Sequence, residues 1–447
     1  MTLTVPTRPT SATAAPAAAV PQASHSARLG HLVGAVGGGP ELDEHLLGYG
    51  TVPRLTPGGL AELVAAAGLT GRGGAAFPTA RKLAAVRERG TRRRRPVVVG
   101  NGAEGEPASG KDRTLLRVRP NLVLDGLQLT AAEVGADRVV LYLHRDPALV
   151  ATLRDLLAQR LRLGLDARPV ELVEAPHRFL AGEESALASR VEGGIALPRF
   201  TPPRVFEAGV AGAPTLVQNV ETLAQLALLA RFGPDWFRST GLPDEPGSML
   251  ATVHVPRDRR VVEVPLGVAL TRLLGDPLKG GGPISAVLVG GYHGAWLPLA
   301  AARDSRVANA DLRPLGAAVG AGVVAGLPAT NCGLVETARV VHYLAAESAG
   351  QCGPCLNGLP AIAGGLAELA GAFPRPGVVE DVRRWSGLVE GRGACHHPDG
   401  TVRLVRSALQ VFSEEIARHA AGHCSATTVE PFLPIPAGIP TSDHEWS

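Results

Sequence analysis

Between about residues 45 and 245 short unbroken apolar runs alternate with segments whose apolar residues recur every three or four positions. "RRPVVVGN" (94–101) predicts a strand running into a loop, and "NLVLDGLQLTAAEVG" (121–135) predicts a helix. "RVVLYLH" (138–144) reads as a buried strand, "PALVATLRDLLAQRLRLG" (147–164) as a helix and "VELVEAP" (170–176) as another strand. This order predicts an α/β, Rossmann-like domain, a mostly parallel sheet with helices on both faces. Ligands in such sheets bind at the carboxyl ends of the strands, so the loops after these runs are where chemistry is sought.

Near residue 247 the period changes. "MLATVHV", the turn "PRDRR", "VVEVPLG", a short helix "ALTRLLG" and the strand "AVLVGG" predict a compact β-grasp (SLBB-like) unit. Beyond it, "GLVETARVVHYLAAESA" (333–349), "GLPAIAGGLAELAG" (358–371) and "TVRLVRSALQVFSEEIARHAAG" (401–422) carry helical apolar spacing, which predicts a helical bundle. The expected division is a disordered Ala/Pro/Ser/Thr-rich tail at 1–45, an α/β domain at 46–245, the β-grasp unit at 246–330, the bundle at 331–425 and a Pro-rich arm at 426–447 on the surface or on a partner.

Charge and composition narrow the function class. With 44 basic against 41 acidic side chains nothing global points to nucleic acid. The tetrad Arg92 to Arg95 reads either as solvated surface or as a docking patch for an acidic partner. The N-terminus lacks the charged start and apolar core of a signal peptide, and "LGAAVGAGVVAGLPA" (315–329) falls short of the ~20 residues of a spanning helix. A cytoplasmic protein is expected, without membrane insertion and peripheral to a membrane only through partners. Five cysteines in so long a chain make no disulfide framework; Cys352, Cys355 and Cys395 suggest a reducing compartment and a cofactor.

Three loops carry candidate binding residues. In "GLTGRGGAAFPTARK" (68–82), Gly71, Gly73 and Gly74 let backbone N–H groups approach an anion, Lys82 complements a phosphate and Phe77 offers a ring for stacking. In "GNGAEGEPASGKDR" (100–113), Asn101, Glu104 and Glu106 sit past a strand end, and "FLAGEESALASRVEG" (179–193) places Glu183 and Glu184 after Gly182. Paired carboxylates suit acid–base work, a metal, sugar hydroxyls or the capping of a helix start. "APTLVQNVETLAQL" (213–226) brings Gln218, Asn219 and Thr222 to a helix start, where amides suit the edge of a heterocycle. "ESAGQCGPCLNG" (347–358) gives C-x-x-C thiolates that suit iron–sulfur or zinc.

Taken together, "GRGGAAFPTARK", "GNGAEGEP…KDR", "GEESAL…EG", "PRFTPPRVFEAGVAGAPTLVQNVETLA" and "ESAGQCGPCLNG" resemble, in order and spacing, the NADH-binding flavoprotein subunit of respiratory complex I. The same resemblance extends to its relatives in NAD-reducing hydrogenases and formate dehydrogenases, and it covers roughly residues 50–425. It implies FMN contacts at Gly71, Arg72, Gly73, Gly74, Lys82, Asn101, Gly182, Glu183, Glu184, Asn219 and Thr222. It also implies that Phe77, Glu106 and Glu184 face the nicotinamide nucleotide, that no side chain is needed as acid or base, and that electrons leave through a [4Fe–4S] cluster to a ferredoxin-like or other redox subunit.

This chain departs from that pattern in several places. Ala349 stands where the first cluster cysteine belongs, leaving Cys352, Cys355 and Cys395, so the cluster is a variant whose fourth ligand is His396, His397 or an external group, or one of three irons. Cys332 lies a helix length, ~25 Å, before Ala349 and is a poor substitute, and Cys424 reads as a lone thiol near the tail. Ala76, Ala85, Ala103, Thr201 and Arg204 replace residues that help hold flavin or NADH, and Arg204 suits either solvent or the extra phosphate of NADPH. Two readings follow: NAD(P)H oxidation through FMN with relay through a modified iron–sulfur site to a partner, or a non-catalytic or non-NADH paralogue keeping the fold for assembly or flavin binding, with a degenerate cluster site whose cysteines merely pack in the bundle.

Overall fold

A computed structural model describes residues 32, 40–275, 283–437 and 446. The tail expected at 1–45 lies mostly outside them, though within it Leu32 and Leu42 are buried in the first core. Strands β1 (Val97–Gly102), β2 (Arg138–His144), β3 (Val170–Ala175) and β4 (Thr215–Asn219) form a parallel sheet in the order β3-β2-β1-β4. Helices α1 (Thr79–Arg89), α2 (Pro120–Val134), α3 (Pro147–Arg162), α4 (Glu184–Val191) and α5 (Val220–Arg238) pack around it. The loop expected at 213–226 instead supplies the strand β4, whose Asn219 then caps α5 by accepting from the Glu221 N–H at 3.0 Å. Five residues running straight into a helix give too few positions for alternation to show.

Alternation along these strands sorts the two faces. Val98 and Leu216 enter one core with α2 and α5, whereas Val97, Val99 and Val217 enter another with Leu187, Ala188 and Val191 of α4. By the same period Asn101 and Asn219, paired in register at the carboxyl ends of β1 and β4, project toward the α4 face. Gln218 projects the other way and is buried, away from the amide role expected for it.

The second sheet, β5 (Ser248–Val255), β6 (Asp258–Pro265), β7 (Ile284–Val289), β8 (Ala295–Pro298) and β9 (Val323–Pro328), has the order β6-β5-β9-β7-β8, with β5 and β9 parallel and the other pairs antiparallel. The C-terminal region is helical, with α6 (Gly333–Ala346), α7 (Leu359–Ala370), α8 (Val378–Val389), α9 (His397–Val411) and α10 (Ser413–Ala420). The single helix expected over 401–422 breaks at Phe412, whose backbone leaves the helical region (φ −103°, ψ 27°) as its ring packs against Trp296, centroids 5.3 Å apart. A Cβ at Gly333 would stand 2.1 Å from that ring, so the close packing needs glycine there.

The segment after α10 runs back over this domain: Thr427 N–H donates to Thr330 O (2.9 Å), and the N–H groups of Phe432 and Leu433 donate to Glu336 at 3.0 and 3.1 Å. Farther on, Trp446 packs into the α4-face core and under the Arg178 guanidinium, 4.0 Å from the ring centre. Among the described residues no helix is long and apolar enough to cross a membrane.

Candidate flavin and iron–sulfur site

The glycine loop leaves its hairpin through a Gly71 N–H to Phe77 O bond of 2.9 Å and takes a positive φ (+104°) at Gly74. A Cβ on Gly73 would lie 3.3 Å from the Cβ of Asn219, so the loop backbone comes directly against the Asn219 side chain. Arg72 is occupied elsewhere. Its backbone N–H donates to Thr222 Oγ1 (2.9 Å), and its buried guanidinium turns into the seam with the second sheet, donating to Ser248 O (3.2 Å), Pro246 O (3.4 Å) and Thr70 Oγ1 (3.0 Å). Arg72 and Thr222 therefore lock the loop in place, and the surface it presents is glycine backbone.

The acidic loop closes the same site from across the strands. Asn101 donates to Gly182 O (2.8 Å) and accepts from the Ala103 N–H (3.1 Å), which draws the end of β1 against the start of α4. A Cβ on Gly182 would lie 2.5 Å from Ala103 O, so this approach also requires glycine. Glu183 caps α4, accepting from the N–H groups of Ser185 (2.9 Å) and Ala186 (3.0 Å), which fulfils the capping alternative for that carboxylate. Lys82 and Glu184 form an ion pair, so two expected contacts on separate elements meet. Phe77 is half exposed on the glycine loop.

Beneath Asn219 lies a buried charge cluster that the motifs alone do not disclose. Lys111 Nζ contacts Asp112 (2.7 Å), Glu221 (2.9 Å) and Asn219 Oδ1 (3.2 Å), and the Asn219 amide donates to Asp112 Oδ2 (2.7 Å). Burial alone would lower the Lys111 pKa, but Asp112 and Glu221 outweigh it and raise it, so the ammonium stays charged. The signal is present in "GKDR", a Lys–Asp pair at the start of a helix, but its partners lie more than a hundred residues away in sequence.

Glu106 has a different task from the one expected. Its carboxylate accepts from the N–H groups of Tyr292 (2.6 Å) and Ala108 (3.1 Å), tying the acidic loop to the β7–β8 turn. Burial pushes its carboxyl up to about 7 despite those two hydrogen bonds. Glu104 and Glu106 also line a cavity of about 460 Å³ at the ends of β1 and β2, closed on one side by Pro434, Ile435 and Pro436.

Of the three cysteines, Cys355 is buried while Cys352 and Cys395 are half-buried. Burial, then the neighbouring Cys352 and Cys395 thiols, push Cys355 up to about 12. Burial, then Glu183 and Cys352, push Cys395 up to about 11. Ala349 and Cys395 both pack on the core that holds Leu180, Ala181 and Leu187, on the α4 face of the sheet. Histidine does not replace it: His397 is buried with Nε2 on Leu344 O (2.8 Å) and Nδ1 on His293 (3.0 Å), and His396 points into solvent.

Glycine backbone against two strand-end asparagines, a capped helix start and three cysteines on the helical domain suit a flavin- and iron–sulfur-type electron-transfer protein. Residues 64–228 match the Nuo51 FMN-binding domain and residues 336–419 match the NADH-ubiquinone oxidoreductase-F iron-sulfur binding region. The chain belongs to the family of NADH-binding flavoprotein subunits found in respiratory complex I and in NAD-reducing hydrogenases.

It is 28% identical over 379 residues to an NADH-quinone oxidoreductase subunit of Rhizobium meliloti (strain 1021), covering 81% of this chain and 89% of that protein. It is also 28% identical over 366 residues to the mitochondrial NADH dehydrogenase [ubiquinone] flavoprotein 1 of Dictyostelium discoideum, covering 78% and 76%. A solved NAD+-reducing [NiFe]-hydrogenase in the air-oxidized state superposes with a TM-score of 0.72 at 30% identity, covering 88% of this chain. The same enzyme in the H2-reduced state gives 0.73 at 29% identity and 82% coverage. The chain spans 65% and 63% of those two solved chains. Matches to both cofactor regions favour the electron-transfer reading over the non-catalytic one.

Proposed function

We propose that this chain is the electron-input subunit of a redox complex, oxidising NADH through FMN and passing electrons by way of a modified iron–sulfur site to a partner. The observation that carries the reading is that the two regions share one core: Cys395 and Ala349 pack on the cluster that holds Ala103 and Ala181, the neighbours in sequence of the Asn101–Gly182 contact. When bound, FMN accepts a hydride from NADH and gives up its electrons singly. The protein's share is placement. The backbone of Gly71, Gly73 and Gly74, with Lys82, receives the phosphate; Asn101, Gly182, Glu183 and Asn219 border the flavin, and Arg72 and Thr222 fix the loop that faces it.

Phe77 and Glu184 present a ring and a carboxylate to the nicotinamide nucleotide, while Glu106 acts by holding the acidic loop. Arg204 is exposed, its backbone N–H bonded to Glu207 at 2.9 Å, which suits a solvent-facing residue better than an NADPH phosphate site. Cys352, Cys355 and Cys395 hold the cluster, leaving the Ala349 position to an external ligand or to a three-iron form. A ferredoxin-like subunit is the expected acceptor, with the exposed Arg92 to Arg95 turn as its docking surface and the cytoplasm as the compartment. Anaerobic NADH added to the FMN-loaded protein should bleach the flavin absorbance stoichiometrically; a protein that binds FMN and is not bleached by NADH or NADPH would refute the reading.

A further inference from the structure

We propose that Cys332, Glu415, His419 and Cys424 form a structural zinc site, separate from the iron–sulfur cysteines. Their ligand atoms lie within 4.8 Å of one another, and the first three residues are buried. They come from three places: Cys332 is the residue before α6, Glu415 and His419 sit one turn apart on α10, and Cys424 follows α10 in the next loop. Cys424 is therefore not the isolated thiol that its position in the sequence suggested.

The spacing fits a tetrahedral zinc. Bond lengths of about 2.3 Å to sulfur and about 2.0 Å to nitrogen and oxygen place S and N about 3.5 Å apart, and N and O about 3.3 Å apart, at the tetrahedral angle. Cys332 Sγ is 3.6 Å from His419 Nε2, and His419 Nε2 is 3.3 Å from Glu415 Oε1.

The surroundings are those of a metal ligand set. His419 Nδ1 lies 3.1 Å from Gly371 O, so Nδ1–H donates there and the Nε2 lone pair is left facing the other three groups. The Val335 N–H donates to Cys332 Sγ and the Ala426 N–H to Cys424 Sγ, each at 3.4 Å, so both sulfurs are oriented by a backbone donor. Glu415 is oriented by the Ser425 N–H (2.7 Å) and by Arg418 (3.2 Å). Two thiolates and a carboxylate carry three negative charges; Zn²⁺ and Arg418 together balance them. Binding sends the two thiol protons to solvent and needs no oxidant. The ion would pin the loop after α10, from which the chain runs over the bundle to the Pro434–Pro436 wall of the large cavity.

The test is metal analysis of the full chain, prepared anaerobically from zinc-supplemented culture. The expected result is about one zinc per chain beside the iron, falling at least about tenfold in Cys424→Ser and in His419→Gln while iron and FMN are retained. Should those variants fold poorly, Co²⁺ added to the wild-type chain should give thiolate-to-cobalt absorption that survives in Cys352→Ser. Zinc-free wild-type protein, zinc or cobalt absorption lost in Cys352→Ser, or a Cys332–Cys424 disulfide in the anaerobic preparation would each overturn the proposal.

Discussion

Lys111 shows how much of the candidate site rests on one buried ammonium. Its ammonium is shared between Asp112 and Glu221 and bonds Asn219, so Lys111→Met removes the ammonium that both buried carboxylates contact. We expect a loss of about 3–5 kcal/mol of stability, read as a lowered melting temperature together with weaker FMN binding. Glu106 supplies a pH dependence. Its folded-state pKa, raised from 4.5 to about 7, means that the folded protein holds the proton more tightly than the unfolded chain does. That contribution is complete below about pH 4.5 and is lost as the pH rises through about 7. The melting temperature of wild type relative to Glu106→Gln should therefore fall as the pH is raised across this window, and an unchanged difference would mean that the carboxyl titrates normally. At this scale the sequence places side chains in the fold more readily than it gives their bonding partners. Asn101 and Asn219 stand at the strand ends as their motifs imply, but Arg72, Glu106 and His397 are bonded to distant backbone groups that no local pattern reveals.

The elements divide along physical lines. β1 and β2 are legible because strands buried on both faces are written as unbroken apolar runs, whereas β4 is five residues long and merges into α5. The break between α9 and α10 is hidden because Phe412 suits a helical stripe and leaves it only to meet Trp296 and Gly333. The approach of the acidic loop to α4 rests on glycine at 182, where a methyl would stand 2.5 Å from the Ala103 carbonyl. Gly182→Ala should separate the two loops and weaken FMN binding by at least about tenfold, about 1.4 kcal/mol, in a fluorescence titration. An unaltered affinity would show that the Asn101–Gly182 contact is not part of the flavin site.

For the whole molecule, the question is whether electrons can cross from the α/β domain into the helical one with three cysteines instead of four. Ala349 packs on the same core as Cys395, so on the proposed reading a thiol at that position would complete the cysteine set. Ala349→Cys should raise the iron content per chain and change the low-temperature EPR spectrum of the reduced protein, and an unchanged content and spectrum would count against a cluster held by the three native cysteines. The most direct test of the relay is EPR after anaerobic addition of NADH to the FMN-loaded, iron-containing chain. The account predicts a reduced iron–sulfur signal that depends on FMN and disappears in Cys355→Ser. Flavin that is reduced by NADH while the iron–sulfur signal stays absent would contradict it.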